Sequence, residues 1–501
     1  MIKKDIPKQP VLDPELLKTA EIRNGEFIRY YGKKSELVIP DTVTGIAAGA
    51  FANNQYLTRV TLGKNVSVIR PEAFRECKAL KTVDFPSGLR LIGDDAFRDC
   101  KSLVTAILPR SVVSIGMGAF RDCASLSTLS LSASLENIGA GAFCNCRSLT
   151  EVALPEKLTS IHRSTFWGCS ALKAVTLPTE LETVGRYSFG HCSALEEIEF
   201  PETVAYLGSG VFCDCKSLKS IRIPKKARFI GDYSFSCCEK LESIEIPKSV
   251  TYIGVSAFHA CVNLKDITLP PQLTRISTGA FWGCRSLESI DVPHTVTEIG
   301  QRAFAYCTAL RELTLGIQLT AIEDDTCHSC FALEKISIPT HVKRIGERAF
   351  LKCHKLSSVR LPGELEMIAE YAFSECQTLR EISLPNTLNE IEGHAFDGCA
   401  ALETVMMPNR RLRTGRALFA RCAKLETIVV PDSHRIFQHL LDRWEVPLET
   451  RIVLHGELHL SLLFAEMSAE ETTAERREEL EKQIRLQLAK TGHRRRKVSK
   501  K

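Results

Sequence analysis

Residues 138–155 read Ile138-Gly139-Ala140-Gly141-Ala142-Phe143-Cys144-Asn145-Cys146-Arg147-Ser148-Leu149-Thr150-Glu151-Val152-Ala153-Leu154-Pro155, and the segments on either side repeat the same pattern. The period is 23 residues and runs from Ile46 to Pro431 without an insertion or deletion. All 17 positions of the Leu149 column are Leu, from Leu57 to Leu425. The Phe143 column runs from Phe51 to Phe419 and fails once, at Cys327. The Cys146 column holds Cys at 16 of 17 positions, with Asn54 in the first unit. A register kept this strictly marks a stacked repeat array, whose units bury their apolar faces only against one another.

Each column has a physical reading. Val152-Ala153-Leu154 alternates in, out, in, the period of a half-buried strand. Pro155 ends it, because proline has no N–H for the ladder and fixes φ. Gly63, Ser132 and Gly316 replace that proline in three units. Ile161, opening the next unit, supplies an inward contact on the opposite wall. The glycine after this Ile, present in 10 of 17 units, suits a tight corner. Ala142 marks a column of small residues where backbone passes close by, and Phe143 is the large plug at the centre.

The string Ile-Gly-x-x-Ala-Phe-x-x-Cys-x-x-Leu-x-x-Val-x-Leu-Pro, as at Ile92 to Pro109, resembles the BspA-like, or Treponema-type, class of bacterial leucine-rich repeats. The lead-in Asn24-Gly25-Glu26-Phe27-Ile28-Arg29-Tyr30-Tyr31-Gly32, followed by Val38-Ile39-Pro40, is similar to that class's N-terminal opening. The resemblance implies a leucine-rich-repeat solenoid, an α/β-type right-handed superhelix. It would carry a parallel strand per repeat on the concave face, with a short strand and a helical or 3-10 turn opposite. It also implies, as an alternative function, a surface adhesin for host extracellular matrix proteins.

The ends differ from the array. Residues 1–45 read as an N-terminal cap and lead-in half repeat, with Asp13 capping a helix that starts at Pro14. The repeat domain covers 46–431. Residues 432–466 read as a C-terminal cap, in which Ser433 starts a helix carrying Ile436, Phe437, Leu440, Leu441 and Trp444 on one face. Residues 467–501 read as a charged helix, opened by the capping box Ser468-Ala469-Glu470-Glu471, and a basic tail. The formal net charge is +5. Residues 490–501 carry seven positive charges, leaving −2 on residues 1–489. Contact with nucleic acid or an acidic partner would therefore fall to Arg494, Arg495, Arg496 and Lys497. No apolar run follows Lys3 and Lys4, and no stretch is long enough to span a bilayer. A reducing cytoplasm with free thiols is expected, with a secreted or surface location as the alternative.

Little in the sequence points to chemistry. The column cysteines form a line and not a tetrahedral cluster, and read as small buried hydrophobes. Cys144, Cys213, Cys237 and Cys327 lie off that line. Cys327-His328-Ser329-Cys330 spells C-x-x-C without a βαβ context. His455-Gly456-Glu457-Leu458-His459 places two imidazoles and a carboxylate on one strand face, which reads as solvent-facing. No phosphate loop, zincin helix or nucleophile elbow occurs. The chain is expected to be no enzyme and to need no cofactor, metal or small-molecule substrate.

The remaining expectation is a protein-binding scaffold that recognises its partner through the strand face. Its outward positions are Ser and Thr with scattered charges, including Glu151, Glu197, Glu199, Arg222, Glu245, Asp266 and Asp291. They carry almost no aromatics, which disfavours sugar binding and single-stranded nucleic-acid stacking. Trp167 and Trp282, each within Phe-Trp-Gly-Cys, are candidate hot spots; the competing reading packs each over a glycine at the turn.

Overall fold

The computed structural model describes residues 14–410, 412–430, 441–455, 479–480 and 482–483. The chain divides into two compact units, residues 1–287 and 288–501. Both are parallel-strand solenoids of the same 23-residue coil.

The first unit opens with helix Pro14–Thr19 and an antiparallel hairpin, Ala20–Arg23 against Glu26–Tyr30. Its turn, Asn24-Gly25, has φ of 49° and 79°, the paired left-handed conformation of a two-residue hairpin loop. The second hairpin strand then pairs in parallel with Gly45–Ile46, which starts the array. From there a two-residue strand recurs in every coil, for example Leu91–Ile92, Ser114–Ile115 and Asn137–Ile138. Ile92, Ile115 and Ile138 are buried.

The glycine after this Ile is needed for close approach, not for a left-handed φ. A Cβ on Gly139 would lie 2.4 Å from the Met117 amide nitrogen of the preceding coil. A three-residue strand forms the second side, as in Glu151–Ala153 beside Ala174–Thr176 and Ser220–Arg222 beside Ser243–Glu245. Each alternates exposed, inward, exposed. This ladder is not continuous. The segments 197–199 and 266–268, expected as strands, form none, and the ladder also breaks elsewhere, as between Thr82–Asp84 and Thr105–Ile107, so the sheet is divided into short blocks.

The third side departs from expectation. Among described residues 45–430 the third side holds no α-helical or 3-10 segment, only isolated turns. Instead the amides of Gly141, Phe143 and Asn145 donate to the next coil, at Arg163, Thr165 and Trp167 (2.9, 2.9 and 2.7 Å). The alternate amides of Ala142, Cys144 and Cys146 turn back to carbonyls three residues earlier. Gly141 and Asn145 are left-handed, with φ of 64° and 60°, and this twice-repeated change of hand stops a helix from propagating. The result is a ladder of turns in which every second amide joins neighbouring coils.

Inside, the column phenylalanines stack ring on ring. Centroid spacing in the first unit runs from 4.6 Å at Phe51–Phe74 to 5.9 Å at Phe189–Phe212, where the rings are 7° from parallel. The column cysteines have a polar role besides packing. Column thiols donate to the carbonyl at the preceding coil's Phe position, as Cys146 to Phe120 (3.3 Å), Cys169 to Phe143 (3.2 Å) and, where Cys327 replaces the Phe, Cys353 to Cys327 (3.2 Å). In the first coil Asn54 fills this place, donating through Nδ2 to Gly32 O (3.2 Å).

The second unit repeats the coil, with long strands such as Glu312–Thr314 and Lys335–Ser337 and short strands from Glu298–Ile299 to Arg413–Thr414. Cys327 sits fully buried at its Phe position. At the far end helix Leu441–Trp444 acts as a surrogate coil. Carbonyls of Arg443 and Trp444 accept from Ala417 and Phe419 (2.7 and 3.0 Å), and the Trp444 ring meets Phe419 edge-on at 6.0 Å. Trp444 Nε1 donates to Thr414 Oγ1 (3.0 Å). Strand Arg451–Leu454 pairs in parallel with Thr427–Val430. The Ser433 start and Ile436, Phe437 and Leu440 lie outside the described residues, as do the capping box at Ser468 and the basic tail with Arg494, Arg495, Arg496 and Lys497. Of the expected charged helix, Gln483 Nε2 donates to Glu479 Oε1 (3.2 Å) and Leu480 is buried.

Candidate interaction surfaces

The three sides of the coil sort the sequence candidates onto different surfaces. Glu151, Glu197, Glu199, Arg222, Glu245 and Asp266 are exposed along the long-strand side of the first unit. Arg222 and Glu245 face each other across neighbouring strands and form an ion pair at 2.8 Å, so they offset one another. Glu151, Glu197, Glu199 and Asp266 have no ion-pair partner among the described residues. Asp291 belongs to the second unit, where its Oδ1 accepts from Thr314 Oγ1 (2.7 Å).

The short-strand side carries what the sequence reading overlooked. The position before the buried Ile or Leu is Tyr206, Phe229, Tyr252 and Arg275 in four consecutive coils. Tyr206 and Phe229 meet edge-on at 5.7 Å, and the Arg275 guanidinium lies over the Tyr252 ring at 6.0 Å. Tyr206 is 41% exposed. Beside the row a groove of about 440 Å³ is lined by Ser209, Arg228, Phe229, Asp232, Thr251 and Tyr252. The expected scarcity of outward aromatics thus holds for the long strands and fails for the short ones. The signal was in the sequence, in a column whose outward side was not read.

Trp167 and Trp282 lie on neither strand side but on the turn ladder of the first unit. Trp167 is half-buried over Gly190, whose added Cβ would stand 3.0 Å from its Cδ1, and its ring meets His191 at 4.9 Å. Trp282 stacks on His259 at 4.5 Å rather than on a glycine. Between them successive coils present His191, then Cys213-Asp214, then Ser236-Cys237, then His259. Amide bonds from His191 to Cys213 O, Asp214 to Ser236 O and Cys237 to His259 O set this order (2.7, 2.8 and 2.7 Å). The donor atoms of His191, Cys213 and Asp214 all lie within 4.8 Å of one another. Ser236 Oγ sits 3.2 Å from His259 Nδ1, and Cys237 Sγ 4.0 Å from the same nitrogen. Burial, with the Asp214 carboxylate beside it, pushes the Cys213 thiol up to about 11, and burial lowers His259. In the sequence Cys213 and Cys237 stand apart from the main thiol column. Their alignment with His191 and His259, which share their two columns after the Phe, shows only when those columns are followed from coil to coil.

The BspA-type leucine-rich-repeat model matches residues 20–146, 113–242, 228–357 and 345–441, which together cover residues 20–441. The chain belongs to the BspA-type leucine-rich-repeat family. A leucine-rich repeat protein of Bacteroides ovatus is 23% identical, covering 87% of this chain and 97% of its own, with a TM-score of 0.49. The leucine-rich repeat protein of T. pallidum is 32% identical over 36% of this chain and 88% of its own, at 0.34. A leucine-rich cell surface protein of Faecalibacterium prausnitzii is 24% identical over 77% and 94%, at 0.40. Among curated proteins none matches the sequence.

This BspA-type array is a repeat scaffold of the kind that serves protein–protein interaction. Its column thiols are buried, and burial holds them far above the ordinary thiol range, as at Cys169, Cys192 and Cys376. A thiol so placed does not supply the thiolate that nucleophilic or redox chemistry needs. Cys327 and Cys330 are likewise fully buried, and Cys330 donates to Phe304 O (3.1 Å) like its column mates. His455 is not solvent-facing as expected: Nε2 donates to Met407 O (2.9 Å), while Glu457 and His459 lie outside the described residues. Among the described residues no helix is long and apolar enough to cross a membrane.

Proposed function

We propose that this BspA-type array is a non-catalytic scaffold that holds a protein partner, and that the partner seats on the Tyr206–Phe229–Tyr252 row of the first unit. The observation that carries this is three consecutive aromatics ending in an arginine, beside a groove with a cation, Arg228, and an anion, Asp232, on its rim. Aromatic and arginine side chains concentrate binding energy when desolvated at the centre of an interface, and a charged rim fixes orientation. Each aromatic stands on a short strand bonded to a neighbour, Tyr206–Leu207 to Thr183–Val184 and Phe229–Ile230 to Tyr252–Ile253, with a buried inward residue, so little ordering entropy is lost on binding.

The long-strand side supports a second reading. Glu151, Glu197, Glu199 and Asp266 offer unpaired negative charge to a basic partner. Two variants of the full chain separate them in affinity capture from the native cell: Tyr206→Ser with Phe229→Ser and Tyr252→Ser, and Lys at all four acidic positions. Loss of a partner from the first variant alone supports the aromatic row, and loss from the second alone transfers the site to the strand side. An unchanged set of partners with both sinks both readings. The adhesin reading predicts, in addition, binding of the wild-type chain to immobilised matrix protein.

A further inference from the structure

We propose that His191, Cys213 and Asp214 form a binding site for zinc or a similar divalent transition metal on the turn ladder of the first unit. The site stands apart from the aromatic row and does not depend on it. One imidazole nitrogen, one sulfur and one carboxylate oxygen converge within 4.8 Å, with His191 Nδ1 3.6 Å from Asp214 Oδ2. That donor set suits a borderline-soft ion. Calcium and magnesium take all-oxygen shells, whereas zinc accepts nitrogen, sulfur and carboxylate oxygen in a tetrahedral arrangement. Three protein ligands leave a fourth position for water.

The convergence depends on register. His191 is the one histidine in its column, and it falls one coil before Cys213, one of two cysteines in the adjoining column. The other, Cys144, has Asn145 and Asp122 where Cys213 has Asp214 and His191, and those two pair with each other (2.8 Å). Gly190 leaves the space beside the buried thiol open, since a Cβ there would stand 3.0 Å from Cys213 Sγ. The Trp167 ring against His191 restrains the imidazole. The coils carrying these ligands are also the most widely spaced of the first unit's Phe stack, with Phe189 and Phe212 5.9 Å apart. A metal bridging them would bond across the loosest step. On binding, the Cys213 S–H bond gives way to an S–metal bond and the proton leaves to solvent; the ion keeps its +2 charge.

The test uses the full chain, stripped with chelator under reducing conditions and titrated with cobalt(II) as a spectroscopic stand-in, then with zinc. The expected result is one cobalt per chain with a thiolate-to-cobalt charge-transfer band that zinc displaces. Cys213→Ser should abolish the band. His191→Ala, at an exposed position that does not threaten folding, should weaken binding at least about tenfold, since even the loss of an outer-shell partner costs that much. Cys144→Ser should leave both unchanged. Zinc should raise the melting temperature of the wild type and not of Cys213→Ser, with superimposable far-ultraviolet circular dichroism confirming that the variant is folded. The absence of a band at one equivalent overturns the proposal. So does a band that survives Cys213→Ser, or binding indifferent to His191→Ala.

Discussion

Phe143→Ala tests the stacked interior directly. The ring is fully buried and stacks on Phe120 at 5.5 Å and 6° and on Phe166 at 5.6 Å and 7°. Truncation removes the ring's transfer energy and leaves a cavity between coils that are themselves held by backbone bonds and cannot collapse into it. Such substitutions cost about 3–5 kcal/mol, of which each lost stacking contact accounts for roughly 0.5–1.5 kcal/mol. A solenoid's stability is a sum over neighbours, so the loss should stay local. Hydrogen exchange followed by mass spectrometry reads this coil by coil. The amides of Phe120 and Phe143, bonded to Ala142 O and Thr165 O (2.7 and 2.9 Å), should exchange roughly 100- to 4,000-fold faster, at 1.4 kcal/mol per decade. The Phe51 amide, bonded to Ala73 O (2.7 Å), should keep its protection. Acceleration below tenfold, or equal acceleration throughout the unit, would refute the picture of a tight ring stack with nearest-neighbour coupling.

Two further outcomes follow from the same geometry. Gly139→Ala puts a methyl 2.4 Å from backbone that can yield only by separating two coils, so a loss of about 1–3 kcal/mol is expected in thermal denaturation; Gly363→Ala, with nothing within 4 Å, should instead leave stability unchanged or raise it by up to about 1 kcal/mol. Alkaline pH should weaken the fold. Burial pushes Cys77 and Cys422 up to about 12 from an ordinary value of 9.0, so above pH 9 the unfolded chain has released protons that the folded chain still holds. Stability fully present below pH 9 is therefore lost progressively as pH rises towards 12, and urea midpoints should fall across that window. Equal midpoints below and above pH 9 would mean the thiols ionise normally in the folded state.

The sequence alone determined the repeat, its register and its interior. Phe143, Cys146, Leu149, Val152 and Ile161 are buried as their columns required, because a 23-residue period with no insertion leaves one way to put every apolar column inside. It also carried the Asn24-Gly25 hairpin turn, whose geometry is local. What it did not reveal was where hydrogen bonds close. Alternation predicts a strand at Glu197–Glu199 as well as at Glu151–Ala153, yet pairing depends on the spacing of neighbouring coils, which no single unit encodes. The turn ladder replaced a helical turn for the same kind of reason: half its amides find acceptors 22 residues away in the next coil, a partner that local propensity cannot supply.

The surfaces were legible only as columns. Exposure of the long-strand residues follows from period two, but the aromatic row and the His191, Cys213 and Asp214 cluster join residues about 22 or 23 positions apart. Stacking makes such residues near neighbours, while along the chain they are as remote as any other pair. Tertiary structure decided between the two readings of Trp167 and Trp282, placing them on the turn ladder away from the strand side, and turned isolated side chains into continuous stripes.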